Sequence, residues 1–281
     1  MTMKQELYQN HGDHIDAIMP AAKFLKEHLR NIISESKVYR KVRTEVSIEE
    51  LKSERTDVTS LVHGASPMRM LTLLAYSPKG KVNQFVSIYP ILSGTIIRAH
   101  IERVLEWDNQ LEATIECSVG DFVFAFFATD YYENKRAYIV GDEISLELSA
   151  LGCKVKEAQR GFSFEGQQAI DWLAKIGETP KYSKDGSVEP VKFSTEKLLA
   201  FMNHDEKCPD EAEFQSPAVE ISESEIIGIG FYRTMITIHR DANDNAISIP
   251  LYFRKDMYPN INAKDPISGW IWVIGNIYSQ S

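Results

Sequence analysis

The chain has 281 residues, of which 43% are hydrophobic and 25% are charged, a composition typical of a globular protein with its own core. A chain of this length buries enough surface to fold without disulfides or a structural metal. Its three cysteines form no CxxC pair, which indicates reduced thiols. An uncharged stretch at residues 82–97 is interrupted by polar residues and a proline, which excludes a membrane-spanning helix. The first residues are polar where a signal peptide has an apolar core, so we expect a cytoplasmic protein.

Charge is distributed unevenly along a chain whose net charge is −9. Residues 1–93 carry 13 basic and 10 acidic side chains, whereas the later segments are acidic. One basic cluster contains Lys37, Arg40, Lys41 and Arg43. Nucleic-acid affinity depends largely on neutralising phosphates with Lys and Arg, so the overall charge argues against a nucleic-acid partner. The simplest interpretation of the cluster is a solvated strand or helix end, and contact with phosphates is the alternative.

The first predicted element is a helix over residues 13–34, where apolar residues recur at three- and four-residue steps. Asp13 is placed as its N-cap. Pro20 lies inside the segment, where a proline removes a hydrogen bond and kinks a helix. A short second helix is predicted over residues 47–54, because Ser47 and Glu50 have the spacing of a capping box.

From residue 68 onward the apolar period changes to two, which predicts β-strands. Residues 69–76 and 82–89 flank a turn sequence at 77–80 and predict a hairpin. Four more strands are predicted over residues 95–105, 111–118, 122–129 and 143–151. The third of these is apolar on both faces, as is typical of a central strand that is covered on both sides.

Helical patterns return after the meander. They predict helices over residues 167–176 and 195–203, separated by a mobile loop at 178–190. Residues 205–217 are acidic and contain two prolines, which predicts a linker. The strand pattern then resumes over residues 226–230, 232–239, 246–254 and 267–276. We therefore divide the chain into an N-terminal helical segment (1–60), a first β module (61–158), a helical insert and linker (159–216) and a second β module (217–281).

An internal repeat relates the two β modules, since residues 111–152 align with residues 233–276. The aligned positions include Thr114 with Thr237, Asp130 with Asp256, and Asp142 with Asp265. Both segments consist of a strand, a tight turn, a strand, an irregular connection and a final strand. This plan resembles the oligonucleotide/oligosaccharide-binding (OB) fold, which implies curved strands that close into a small barrel and so remove exposed sheet edges.

The fold expected from these patterns is α+β and mainly antiparallel β. It contains two related small β-barrel-like (OB-like) modules, an N-terminal helix and a helical insert.

Residues capable of catalysis or metal binding are few. The segment at residues 11–16 contains His11 and His14, which are potential metal ligands. Helix capping accounts for Asp13, however, and the sequence shows no second cluster of His or Cys. We therefore expect no metal and no cofactor. Buried small side chains are the simplest role for the cysteines, and the acidic residues between 102 and 116 predict a solvated face. The sequence contains no P-loop, G-x-S-x-G or G-x-G-x-x-G motif, which favours a protein that is not an enzyme.

Aromatic residues are the remaining candidates for a binding surface. Trp270 and Trp272 lie two residues apart on the last strand and therefore share a face. Near the irregular connections the chain also carries Tyr131, Tyr132, Tyr252 and Tyr258. These side chains form either a surface on which a ligand stacks or part of the core. Full burial of the two tryptophans would exclude the stacking surface.

The sequence thus favours a non-enzymatic cytoplasmic interaction or scaffold protein, with a protein as its partner and no membrane. One alternative is a single-stranded nucleic-acid-binding protein. It would stack bases on the barrel aromatics and contact phosphates through the basic cluster. The other alternative is an enzyme with a motif-free active site, which a perturbed carboxyl group in the largest pocket would support.

Overall fold

The structure, a computed structural model, describes residue 9 and residues 11–48, 54–76 and 83–279. It is mostly antiparallel β-sheet with few helices. The α-helices in the described part are α1 (Gly12–Asp16), α2 (Ala21–Glu27), α3 (Leu29–Glu35), α4 (Tyr131–Asn134) and α5 (Gly166–Lys175). A 3₁₀ turn at Lys135–Ala137 follows α4. No described helix has the length and apolar character needed to cross a membrane.

The N-terminal helical segment is divided where the sequence predicted one helix. Pro20 is the N-cap of α2, because proline lacks the N–H that an uninterrupted helix requires at that position. The carboxylate of Asp16 accepts a hydrogen bond from the backbone N–H of Ala21 at 2.5 Å across the break. Phe24 and Ile32, on α2 and α3, are fully buried against the first sheet. The helix predicted over residues 47–54 lies mostly outside the described residues.

The first sheet has four antiparallel strands. In spatial and chain order they are β1 (Lys37–Val46), β2 (Glu54–Ala65), β3 (Met68–Tyr76) and β4 (Asn83–Leu92). The pairing of β3 with β4 confirms the first predicted hairpin, whose turn at 77–80 lies outside the described residues. The basic cluster falls on β1, which among the described strands pairs only with β2 and is therefore an edge strand of this sheet.

The second sheet contains ten strands. Those before α5 are β5 (Thr95–Glu106), β6 (Ala113–Val119), β7 (Phe122–Ala128) and β8 (Glu143–Glu157). Those after it are β11 (Ala200–Asp205), β12 (Cys208–Pro217), β13 (Val219–Ile226), β14 (Ile229–Arg240), β15 (Ala246–Arg254) and β16 (Pro266–Ile277). Two further strands, β9 (Gly161–Phe164) and β10 (Val191–Ser194), form a separate pair.

Five strands of the second sheet close into a barrel in the order β5–β6–β7–β16–β8. Closure depends on β16, which pairs in parallel with β7 and antiparallel with β8. Phe124 and Phe126 of β7 are buried in one core cluster, whereas Phe127 is buried in another that also contains residues of the first sheet. The prediction that β7 is a central strand covered on both faces is therefore confirmed.

The segment at residues 159–216 differs from the predicted helical insert. The helix predicted over 167–176 corresponds to α5, but the helix predicted over 195–203 is wrong, because this stretch contains a turn and the start of β11. The predicted linker at 205–217 is mostly strand β12, which pairs with β11 and β16. Pairing between strands has overridden the local helical spacing and the acidic, proline-containing composition.

Candidate functional site

A groove separates β1 from the end of the barrel where β7 leads into α4. It consists of two cavities of about 580 and 610 Å³ that share Glu133 and Asn134. We call it the polar groove. The charged residues lining the first cavity are Arg40, Arg69, Asp130, Glu133 and Glu147. Those lining the second are Arg43, Glu45, Glu133, Lys135 and Arg136.

Contacts through one hydroxyl group fix the two walls of the polar groove. The strand β1 has an irregularity at Tyr39, after which the backbone N–H of Arg40 donates to Ser60 Oγ on β2 at 3.1 Å. The buried Tyr132 of α4 donates its hydroxyl to the same Ser60 Oγ at 2.9 Å. The side chain of Arg40 then reaches across the groove to Glu133, with 3.3 Å between Nε and Oε2.

Asp130 forms the closed end of the first cavity. Its carboxylate accepts hydrogen bonds from the Tyr138 hydroxyl at 2.5 Å, from Asn134 Nδ2 at 2.7 Å and from the backbone N–H of Ile277 at 3.1 Å. Burial raises the pKa of Asp130, while these donors act in the opposite direction. Because its lone pairs are used inside the protein, Asp130 mainly holds the end of β16 against α4.

Glu133 has a different character, because its side chain lines both cavities. Burial and the nearby charge of Asp130 raise the pKa of Glu133, and the guanidinium of Arg40 opposes this shift. The result is a carboxyl group with increased proton affinity beside a cation.

Several cations at or beside the groove have no partner among the described residues. Within that part of the chain, no ion pair or side-chain hydrogen bond is made by Arg69, Arg136, Lys37 or Lys41. Arg69 is half-buried on the cavity wall, whereas the two lysines are exposed on β1. An unpaired guanidinium on a cavity wall favours a ligand that carries a carboxylate or another anion.

The aromatic residues predicted as a binding surface do not converge. Fully or almost fully buried are Trp272, Tyr131, Tyr132 and Tyr252. All four use their polar atoms internally. Besides the bond from Tyr132 to Ser60 Oγ, Trp272 Nε1 donates to Asp210 Oδ2, Tyr131 to Glu106 Oε2 and Tyr252 to the carbonyl of Ser93, at 2.8, 2.9 and 2.8 Å. These four side chains therefore belong to the core.

Trp270 and Tyr258 remain partly exposed, at separate places. Trp270 lines a cavity of about 440 Å³ together with Lys154 and Met202, and Tyr258 hydrogen-bonds to Asp265 at 3.2 Å. Neither of them lines the polar groove.

The basic cluster is divided in the structure. Arg40 and Arg43 line the polar groove, whereas Lys37 and Lys41 project from the exposed part of β1. Sequence reasoning missed Arg69 and Glu133, which have no motif around them. Asp130 was noticed only as a position of the internal repeat, and that alignment carries no information on burial.

Neither metal-binding groups among the described residues nor similarity to known proteins assigns a function to the chain. Within the described ranges, no group of three or more His, Cys, Asp or Glu side chains is arranged to hold a metal ion. No protein-family model, no curated protein and no solved structure matches the chain.

Proposed function

We propose that this chain is a non-enzymatic interaction protein whose body consists of two OB-like barrels sharing β8 and β16. In the closed barrel, β7 is parallel to β16, and β5 is antiparallel to β8. The second half has the corresponding pairs: β15 is parallel to β8, and β12 is antiparallel to β16. Between β14 and β12, the backbone N–H of Thr237 donates to Ser216 Oγ at 3.0 Å. The same strand directions recur with β8 and β16 exchanged, which supports the duplication inferred from the repeat.

Two barrels that share strands favour a scaffold protein over a protein that stacks nucleic-acid bases on its surface. Aromatic residues that could stack bases are mostly in the core, so binding of single strands loses its main source of base contacts. The surface we propose for a partner is the polar groove beside β1.

The partner we propose is an extended, acidic segment of another protein. The observation that carries this proposal is the edge strand β1, which has unpaired cations on it and beside it in a chain of net charge −9. An edge strand offers backbone N–H and C=O groups to an added strand. Lys37, Lys41 and Arg69 would complement acidic side chains of that strand.

Fluorescence anisotropy tests the proposal with a labelled peptide of alternating glutamate and valine. We expect the full chain to bind this peptide more tightly than a peptide of alternating lysine and valine. Reversing two charges of β1 in the variant Lys37→Glu/Lys41→Glu should weaken binding by about tenfold or more, because each exposed pair contributes about 0.2–1 kcal/mol and reversal adds repulsion.

The matched control is Lys175→Glu/Lys181→Glu, which makes the same change of charge at exposed positions on and after α5. If the control variant loses as much affinity for the peptide as the β1 variant, the loss is due to net charge alone. That result would contradict the proposed site. Tighter binding of oligothymidylate than of the acidic peptide would favour the nucleic-acid alternative.

A second candidate function is acid–base catalysis in the polar groove. It is favoured by the raised pKa values of Glu133 and Asp130 in one cavity. A panel of chromogenic glycoside and peptide substrates tests it. Turnover by the wild type that is lost in a folded Glu133→Gln variant would support an enzyme. No turnover of any substrate in the panel would favour the interaction protein.

A further inference from the structure

Two histidines of the N-terminal segment face each other beneath a layer of aromatic rings. His11 precedes α1 and His14 lies within it, and their Nδ1 atoms are 3.5 Å apart. The ring of His14 stacks on Trp272 with centroids 3.9 Å apart and an angle of 8° between the planes. His11 contacts the rings of Trp107 and Phe127.

Each histidine is also held by a buried glutamate from a different part of the fold. His11 Nε2 lies 2.8 Å from Glu112 Oε1, in the connection between β5 and β6. His14 Nε2 lies 2.7 Å from Glu211 Oε1 on β12. Glu112 is 2% exposed and Glu211 is 4% exposed. An ionised carboxylate can only accept a hydrogen bond, so each Nε2 carries the hydrogen.

The hydrogens on the two Nε2 atoms determine how the Nδ1 atoms of His11 and His14 interact with each other. With hydrogen on both Nε2 atoms, the neutral rings direct the Nδ1 lone pairs towards each other, and two lone pairs repel. A cation between the Nδ1 atoms, either a proton on one ring or a metal ion bound to both, would relieve this repulsion.

The geometry fits a metal ion. A histidine that binds a metal usually donates its other ring N–H to a carboxylate, as both histidines do here. With Zn–N bonds of about 2.0–2.1 Å, a separation of 3.5 Å between the Nδ1 atoms corresponds to an N–Zn–N angle of about 117°, near the tetrahedral value. A cavity of about 270 Å³ is lined by His11 and by Glu112, the partner of its Nε2 atom.

The charges near the pair also favour a dication. Glu112 and Glu211 contribute two buried negative charges, and a shared proton would neutralise only one of them.

We propose that the Nδ1 atoms of His11 and His14 bind one divalent transition-metal ion of the Zn²⁺ class, with solvent completing the coordination. The ion links α1 to the barrel through Glu112 and to β12 through Glu211. This site is separate from the polar groove and does not depend on the function proposed above.

Isothermal titration of the EDTA-treated full chain with Zn²⁺ tests the site, and Co²⁺ gives an independent signal through the visible absorption of a tetrahedral complex. We expect one ion per chain and a rise in melting temperature on adding Zn²⁺. The variant His11→Gln should lose the binding, and Glu112→Gln should weaken it by about 10–100-fold, since it alters a partner of the ligand. His100→Gln is the matched control, because His100 is exposed and its Nε2 lies 3.6 Å from Glu143 Oε2.

Two results would overturn the proposal. Wild-type protein that binds neither Zn²⁺ nor Co²⁺ would contradict a metal ion between the rings. Binding that is unchanged in His11→Gln and Glu112→Gln would place the ion elsewhere. Both variants change residues at the edge of the core, and circular dichroism verifies their folding, so that loss of the ion is separated from loss of the fold.

Discussion

Replacing Gly269 by alanine should break the closest approach between two strands of the barrel. Gly269 on β16 lies opposite Val155 on β8, one residue before an irregularity in their pairing. A Cβ atom added at Gly269 would overlap the carbonyl oxygen of Lys154, and it would lie 2.8 Å from the carbonyl carbon and 3.1 Å from the Val155 Cα. All three obstacles are backbone atoms, so no side-chain rotation can relieve the overlap.

The expected cost of Gly269→Ala follows from this geometry. Overpacking in a core costs about 1–3 kcal/mol when side chains can adjust. Here a strand shared by both halves of the sheet must move, so we expect a loss of about 3 kcal/mol or more in the free energy of unfolding. Urea denaturation followed by tryptophan fluorescence measures it.

Gly230→Ala is the matched control. The Cβ atom added there would meet only the flexible side chain of Lys255, at 3.2 Å. We expect this variant to remain within about 1 kcal/mol of the wild type. Equal stability of the Gly269→Ala and Gly230→Ala variants would refute the close packing of β16 on β8.

Three further predictions concern buried groups. Trp272→Phe removes the donor that Asp210 accepts, so the free energy of unfolding should fall by about 2–3 kcal/mol in urea denaturation, and an unchanged value would contradict the buried hydrogen bond. Burial, followed by the charge of Glu102, raises the pKa of Cys117 to about 12, so mass spectrometry after iodoacetamide treatment of the native chain should find Cys117 unmodified while Cys153 reacts. Burial also raises the pKa of Asp210 above its usual value of 3.8. A carboxyl group with a raised pKa contributes stability that is lost as the pH rises through its pKa in the folded state. The free energy of unfolding of Asp210→Asn relative to the wild type should therefore increase with pH above about 4 in urea titrations. A difference that stays constant with pH would contradict the raised pKa.

The strands were predictable wherever period-two alternation was strong and the turns were short. The segment that became β7 is an example, since phenylalanines on both faces indicated a strand covered on both sides. Burial of Phe124 and Phe126 in one cluster and of Phe127 in another confirms it.

The failures come from strands whose sequence is polar. Asp210 and Glu211 made β12 resemble a linker, but both are buried because Trp272 and His14 provide their hydrogen-bond partners from distant parts of the chain. Such partners cannot be identified from local composition. The helix expected near Met202 failed for a related reason, because pairing with β12 determines the conformation of β11.

The candidate site was only partly accessible from the sequence. The basic cluster was visible as a run of charge, and Arg40 does line the polar groove. Arg69 and Glu133 lie far from it in sequence. Arg69 is brought beside it by the pairing of β1 with β2 and of β2 with β3, and Glu133 by the packing of α4. Long-range packing of this kind leaves no local pattern.

Hydrogen–deuterium exchange of the full chain, with and without the peptide of alternating glutamate and valine, tests the proposed binding of an acidic strand most directly. An added strand would protect backbone N–H groups along β1, Lys37–Val46, at its free edge. We predict slower exchange in β1 on adding the peptide and no change in β13, the strand at one end of the second sheet. Unchanged exchange in β1 under conditions where anisotropy shows the peptide bound would contradict the account.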